Sequence, residues 1–228
     1  MNKLTVCGFV LGLATAMVST TAQAEDFALG VKGGTIGLGF EGVFRLSEQI
    51  NLRAQHTQFS KDVNESSSGG SSDLDFNLDL DIGMTALMLD YHPFNGAFRL
   101  TAGYAKNANQ LNGSAVPSGS YEIGDNIYTA ADIGNVNATI DFKSTAPYLG
   151  FGWGNAVSPD NGFGISFEVG VLLQGAPKIN LTTTKQLATP ALQQQLEANI
   201  AKETATFEED TKSFKAWPVV ALGVSYQF

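Results

Sequence analysis

Cysteine is nearly absent. The only one, Cys7, lies in a leader-like N-terminus. Beyond that leader the chain has no thiol, which excludes disulfides and thiol chemistry. Positive charge is also scarce, with 13 Lys and Arg against 22 Asp and Glu and a net charge of −9. Such a surface argues against nucleic acid as a partner. Past the leader no apolar run reaches the roughly 18 residues of a spanning helix. Any membrane role must therefore come from strands. Zinc spacing, a P-loop and a dinucleotide motif are all missing, so no cofactor or metal is expected.

The leader reads "MNKLTVCGFVLGLATAMVSTTAQAEDF". Lys3 supplies a basic start, a short apolar run follows, and Ala22-Gln23-Ala24 is an A-x-A cleavage site. The expected organisation is a cleaved Sec signal peptide over 1–24 and one domain over 25–228. Loss of Lys3 takes the net charge from −9 to −10.

What the chain does have is alternation. In "KAWPVVALGVSYQF" one face carries Pro218, Val220, Leu222, Val224, Tyr226 and Phe228, and the other carries mostly small or polar residues. "GFGISFEVGVLLQG", "TAPYLGFGWG", "FRLTAGYA" and "INLRAQHT" repeat the pattern. A soluble sandwich alternates too, but its large apolar residues meet in a core. Here the opposite face is rich in Gly, Ala, Ser and Thr. Small residues suit the inside of a narrow barrel, and large apolar ones suit lipid outside.

The expected strands run near 26–32, 35–46, 50–62, 75–92, 97–109, 138–154, 163–178 and 214–228. This set of eight takes Gly33-Gly34 as a hairpin turn pairing Val31 with Ile36. The alternative is a bulge there, with the eighth strand drawn from 120–135. Short connections ("SEQI", "PFNG", "SPDNG") alternate with long ones (63–74, 110–137, 179–213), as periplasmic turns and extracellular loops should. Both termini are then expected on the periplasmic side of a Gram-negative outer membrane. In the last long loop, Thr189-Pro190 opens a helix expected over about 190–210.

The stretch "DLDFNLDLDIGMT" (73–85) fails as an EF-hand. Counted from Asp75, position six is Leu80 rather than Gly and position twelve is Ala86 rather than Glu. As a strand it places Phe76, Leu78, Leu80, Ile82 and Met84 toward lipid, and Asp79 and Asp81 toward the lumen. The inward charged candidates are then Lys32, Glu41, Arg45, Arg53, Asp79, Asp81, Arg99 and Glu168. Two readings stay open for them: a salt-bridged plug, or a thin polar path favouring small cations.

Catalysis finds little support. His56, with Ser60 four residues on, has no third group placed by sequence, and His92 precedes Pro93 at a turn. No catalytic residue is assigned, and the expectation is a protein that is not an enzyme. An acyl-chain-modifying barrel is the remaining enzymatic alternative.

"STAPYLGFGWGNA", "ISFEVGVLLQGAPKINLT", the acidic helical insert and "KAWPVVALGVSYQF" together resemble the CarO-type and OmpW-like small outer-membrane barrels. The likeness is best over roughly the last 90 residues. The chain's end, with Tyr226 and Phe228, resembles the C-terminal signal by which such barrels are assembled. The resemblance implies an eight-stranded barrel set in outer-membrane lipid and lipopolysaccharide, and the barrel-assembly machinery as a partner. It also implies uptake of small amino-acid-like or basic solutes (CarO-type) or a lateral path for hydrophobic ones (OmpW-like). The functional expectations are thus a narrow uptake channel, or a closed structural or adhesive barrel.

Overall fold

A computed structural model describes residues 26–67, 74–117, 120–124, 126–157 and 162–228. The signal segment expected over 1–24 lies outside the described residues. The strands are β1 (Phe27–Gly34), β2 (Gly37–Arg45), β3 (Ile50–Ser67), β4 (Leu74–Tyr91), β5 (Phe98–Asn107), β6 (Gln110–Pro117) and β7 (Ser120–Ile123). They continue with β8 (Asn126–Thr129), β9 (Val136–Asp141), β10 (Thr145–Trp153), β11 (Phe163–Leu172), β12 (Lys178–Thr183) and β13 (Trp217–Gln227). The helices are α1 (Ala130–Ile133) and α2 (Pro190–Thr211). No described helix is long and apolar enough to cross a membrane.

Eight strands close on themselves in the order β4-β3-β2-β1-β13-β11-β10-β5, with β5 pairing back to β4. Every neighbouring pair is antiparallel. Closure removes the unpaired edges that lipid could not satisfy. Lengths of 9, 10 and 11 residues in β10, β11 and β13 match the roughly 9–11 that a tilted spanning strand needs. The outward residues include Val31, Leu38, Leu87, Leu89, Leu100, Leu149, Ile165 and Leu222, all exposed and all apolar. At the short-turn end they give way to an aromatic run, Phe94–Phe98–Trp153–Phe167, with ring centroids 5.6–6.3 Å apart. Such a belt belongs at a membrane interface.

The first hairpin exists, but its turn is two residues further on than Gly33-Gly34. Gly34 pairs with Gly37 and Val31 with Phe40, which leaves Thr35-Ile36 as the two-residue loop. Ile36 is consequently buried inside the barrel rather than set toward lipid. A shift of two residues preserves parity, so the remaining faces of β1 and β2 are unchanged.

The long connections are not simple loops. β3 and β4 have 18 residues each, about eight more than a span requires, and so project roughly 27 Å beyond the barrel. β6 continues β5 in the same register against β4, as Tyr91↔Leu100 and Leu74↔Pro117 both show. At the junction the Asn109 side chain accepts from Gly83 N–H (3.0 Å) and takes the place of a ladder bond. β9 continues β10 in the same way. β12 continues β11 after a one-residue slip, where Gly175 takes φ 78°. The result is an open sheet above the barrel, β3-β4-β6-β9-β12.

One face of this sheet carries an apolar row across four strands, Leu80–Leu111–Ile140–Ile179. The β7–β8 hairpin, α1 and α2 pack a second small core of Ile123, Tyr128, Ile133 and Leu196. Thr189 caps α2 by accepting from Leu192 N–H, and Pro190 takes the first turn, where its missing donor costs nothing.

The outward band distinguishes a membrane barrel from a soluble one. Leu222 is 62% exposed at mid-strand in β13. Replacing it with Arg is expected to cost about 2–4 kcal/mol in lipid vesicles, read from the shift of the urea midpoint. On a water-facing strand the same change would move stability by less than about 0.5 kcal/mol.

Candidate functional site

The inside of the barrel is the natural place to look for a path. Seven of the eight strands direct polar side chains to one level: Lys32 (β1), Glu41 (β2), Arg53 and Gln55 (β3), Asp90 (β4), Arg99 and Thr101 (β5), Tyr148 (β10) and Glu168 (β11). All are buried. Glu168 is the hub. Its Oε2 pairs with Arg53, with Arg99 Nη2 at 2.9 Å and with Lys32 Nζ at 3.4 Å. Its Oε1 accepts from the Tyr148 hydroxyl at 2.5 Å. Lys32 Nζ also meets Glu41 Oε2 at 3.0 Å and donates to Gln55 Oε1 at 2.8 Å. Arg53 reaches Asp90 through Nε at 2.9 Å. Asp90 accepts from Thr101 Oγ1 at 2.6 Å.

Three cations thus face three carboxylates. Buried charges of this kind persist only when paired and hydrogen-bonded. Backbone makes room for the hub: a Cβ on Gly170 would sit 2.2 Å from the Tyr148 hydroxyl oxygen. On the long-loop side the ionic level is capped by an apolar one. Ile36, Met84, Met88, Leu172 and Val219 pack there around the Tyr148 ring. The void left at the ionic level is about 10 Å³, close to the least that holds one water.

Of the residues expected to face inward, Lys32, Glu41, Arg53, Arg99 and Glu168 meet in this cluster. Arg45 lies half-buried at the short-turn end, where Nη2 donates to Val157 O (2.9 Å) and Nη1 faces Asp26 at 3.8 Å. Asp79 and Asp81 are elsewhere, and the expectation for them is corrected. The β3–β4 register runs unbroken from Ile50↔Tyr91 to Ser67↔Leu74, so face parity holds along the whole of β4. Met84 and Met88 are 1% exposed and point inward. Asp79 and Asp81 therefore share the outward face with Thr85 and Leu87, above the spanning stretch. Asp81 accepts from Ser60 Oγ at 2.5 Å.

Asp90 was missed for the same reason. Reading parity from Leu87, Leu89 and Tyr91 instead of from Asp79 and Asp81 would have found it. Of the histidines, His56 stands on the outward face, 2.8 Å from Thr85 Oγ1 and against the Phe40 ring. Ser60 turns to Asp81 rather than to His56.

His92 lies in the short turn after β4. Its Nδ1 is 2.9 Å from Gly96 O and its Nε2 is 3.3 Å from Asn51 Nδ2. The two contacts together assign a neutral ring, with Nδ1–H donating to the carbonyl and Nε2 accepting from the amide. Burial pushes its pKa below the usual histidine value, and the Gly96 carbonyl partly offsets this.

No family model and no curated protein sequence matches the chain. Solved structures do. The crystal structure of Acinetobacter baumannii CarO2 superposes with a TM-score of 0.52 at 20% identity, covering 89% of this chain and 98% of that one. That of Acinetobacter baumannii CarO gives 0.51 at 18%, covering 88% and 97%. The fold is thus an eight-stranded outer-membrane β-barrel. Within that class, it is the CarO structures that the chain resembles over most of its length.

Two outcomes follow from the lumen. Glu168→Gln leaves three cations with two carboxylates, and is expected to lower stability by about 3–5 kcal/mol. In a cycle with Lys32→Met and Glu41→Leu, the double variant should be less destabilised than the sum of the singles, as read from urea midpoints. His92 sets a pH dependence. Its pKa is lowered on folding, so its contribution is present above the unfolded value near 6.5 and is lost as pH falls toward the folded one. His92→Gln should flatten that part of the stability–pH curve.

Proposed function

We propose that this protein is a closed outer-membrane barrel that does not conduct along its axis, and that its work is done by the sheet-and-helix module above it. The observation that carries the reading is the filled lumen, with an ionic level tied at Glu168 and an apolar level stacked on it. An uptake path for small cationic or amino-acid-like solutes would require six paired charges to separate and the Met84/Met88/Leu172 layer to part. Separating such pairs costs several kcal/mol for each ion left alone.

In this reading the module is extracellular and both termini are periplasmic, as the short turns and aromatic belt at the other end suggest. Lipid and lipopolysaccharide surround the outward apolar band. Tyr226 and Phe228, exposed at the end of β13 with ring centroids 5.2 Å apart, present the assembly machinery with its signal.

Planar bilayers test the reading. The native protein should show no unitary conductance, and reconstituted liposomes should take up neither lysine nor ornithine. The Tyr148→Ala/Glu168→Ser/Arg53→Ser variant removes both levels' shared supports and should conduct. Cation-selective current through the native protein would restore the channel reading.

A further inference from the structure

The open sheet has an edge at β12, and α2 runs beside it. β12 pairs only with β9 among the described residues. Ile179 N–H donates to Glu208 Oε1 at 3.2 Å, which fixes the hydrogen-bonding direction of the strand. By the two-residue period, the N–H and C=O groups of Leu181 and Thr183 point the same way, toward α2 and away from β9.

An exposed strand edge is normally blunted by proline, a bulge, charge or a close-packed cover. Here the cover does not close. The helix is pinned toward its N-terminal half by Leu196, fully buried, and by Asn199, whose Nδ2 donates to the Tyr128 hydroxyl at 2.9 Å. Near its C-terminus it is pinned by Glu208. Between these points the row facing β12 is Gln193, Glu197, Ala201 and Ala205, spaced four apart on one face. The two alanines and Thr204 are too small to reach the strand. A cavity of about 540 Å³ remains between the helix and Ile179–Thr183.

We propose that this gap is a docking groove for an extended, cationic segment of a partner protein, which adds to β12 as a further strand. Three features select that occupant. The strand edge offers main-chain donors and acceptors at the spacing of another strand, the usual basis of strand addition. Glu208 already occupies the position that an added strand's carbonyl would take at Ile179. Glu197 and Glu208 place carboxylates along the wall, and no basic side chain lines it. Alternate basic side chains of the incoming segment would meet these carboxylates, while its backbone pairs with Leu181 and Thr183. The proposal rests on the module being the working part of the molecule and is independent of the state of the lumen. A conducting barrel would sink the closed-barrel reading and leave the groove untouched.

The test uses the full-length protein in detergent and a fluorescent peptide of alternating lysine and valine, read by anisotropy. Two N-methylated versions of the peptide block alternate amides, one on each edge. Binding is expected for the parent peptide and for one methylated version, with loss of binding by the other. A glutamate–valine peptide should not bind. Leu181→Pro removes the backbone donor that faces the groove and no ladder bond to β9, a substitution an edge strand accepts, and should weaken binding at least about tenfold, whereas Leu181→Ala, which keeps the donor, should weaken it less. Glu197→Gln/Glu208→Gln should weaken it roughly tenfold and reduce its salt dependence. Equal binding of both methylated peptides would overturn strand addition. Displacement of the peptide by spermidine at matched charge would make the groove a small-cation site instead. Concentration-dependent dimerisation abolished by Leu181→Pro would assign the edge to a second copy of the chain. Absence of any peptide binding to the native protein would overturn the proposal without a variant being needed.

Discussion

The Glu168 carboxylate, held by Arg53, Arg99, Lys32 and Tyr148, is the interaction on which the barrel's interior depends. Seven strands converge on its level, and each contributes a group that is buried and paired. In a narrow barrel the inward side chains fill the lumen instead of lining a pore, and every charge among them must find its opposite. That single requirement selects a balanced set of three cations and three acids from a chain with a strong excess of acid. Among the described residues the other acids lie mainly outside the barrel wall, on the module and helix α2.

How much of this was legible follows from what each strand separates. Along β13, β11 and β10 one face meets lipid and the other meets small interior side chains. The contrast is large, and parity read from sequence turned Lys32, Glu41, Arg53, Arg99 and Glu168 inward. β4 defeated the same logic. From Leu78 to Asp90 its even-numbered residues share one face, which is the inner one within the barrel, but the medium on the odd side changes halfway. From Thr85 to Tyr91 the odd face is in lipid and carries Leu87 and Leu89. From Asn77 to Asp81 it is in water and carries Asp79 and Asp81. The polar face of the upper half is thus the apolar face of the lower half. A reading that extends one polarity rule along all 18 residues inverts half of them. The partner pairs within the lumen were illegible for another reason: they depend on the stagger between strands, and the two-residue error at Thr35-Ile36 shows how weakly glycine-rich turns fix that stagger.

The polarity change in β4 also explains the module. A strand that leaves the membrane exchanges a lipid-facing apolar side for a solvated one, and its apolar residues then move to the other face. Leu78, Leu80 and Ile82 are that other face. The row Leu80–Leu111–Ile140–Ile179 is the sheet that results when β5, β10 and β11 follow β4 outward as β6, β9 and β12. Because β13 and β1 do not follow, the sheet cannot close as the barrel does. The barrel abolishes its edges, and the open sheet above it has two among the described residues.

Those two edges are treated differently, and the difference is informative. The upper part of β3 presents Lys61 and Asp62 in solvent, and no described helix runs beside it. β12 has a 22-residue helix set along it, anchored at the Tyr128 hydroxyl and at the Ile179 amide, with small residues where close contact would have been easiest to build. A larger side chain at Ala201 or Ala205 would have sealed the edge and removed the aggregation hazard that an open strand carries. The chain instead holds the helix at a distance and places carboxylates along the gap. A cover that is pinned at two points yet leaves the outward donors and acceptors of Leu181 and Thr183 uncovered acts as a wall, and a wall beside a strand edge is how an extended segment is recognised.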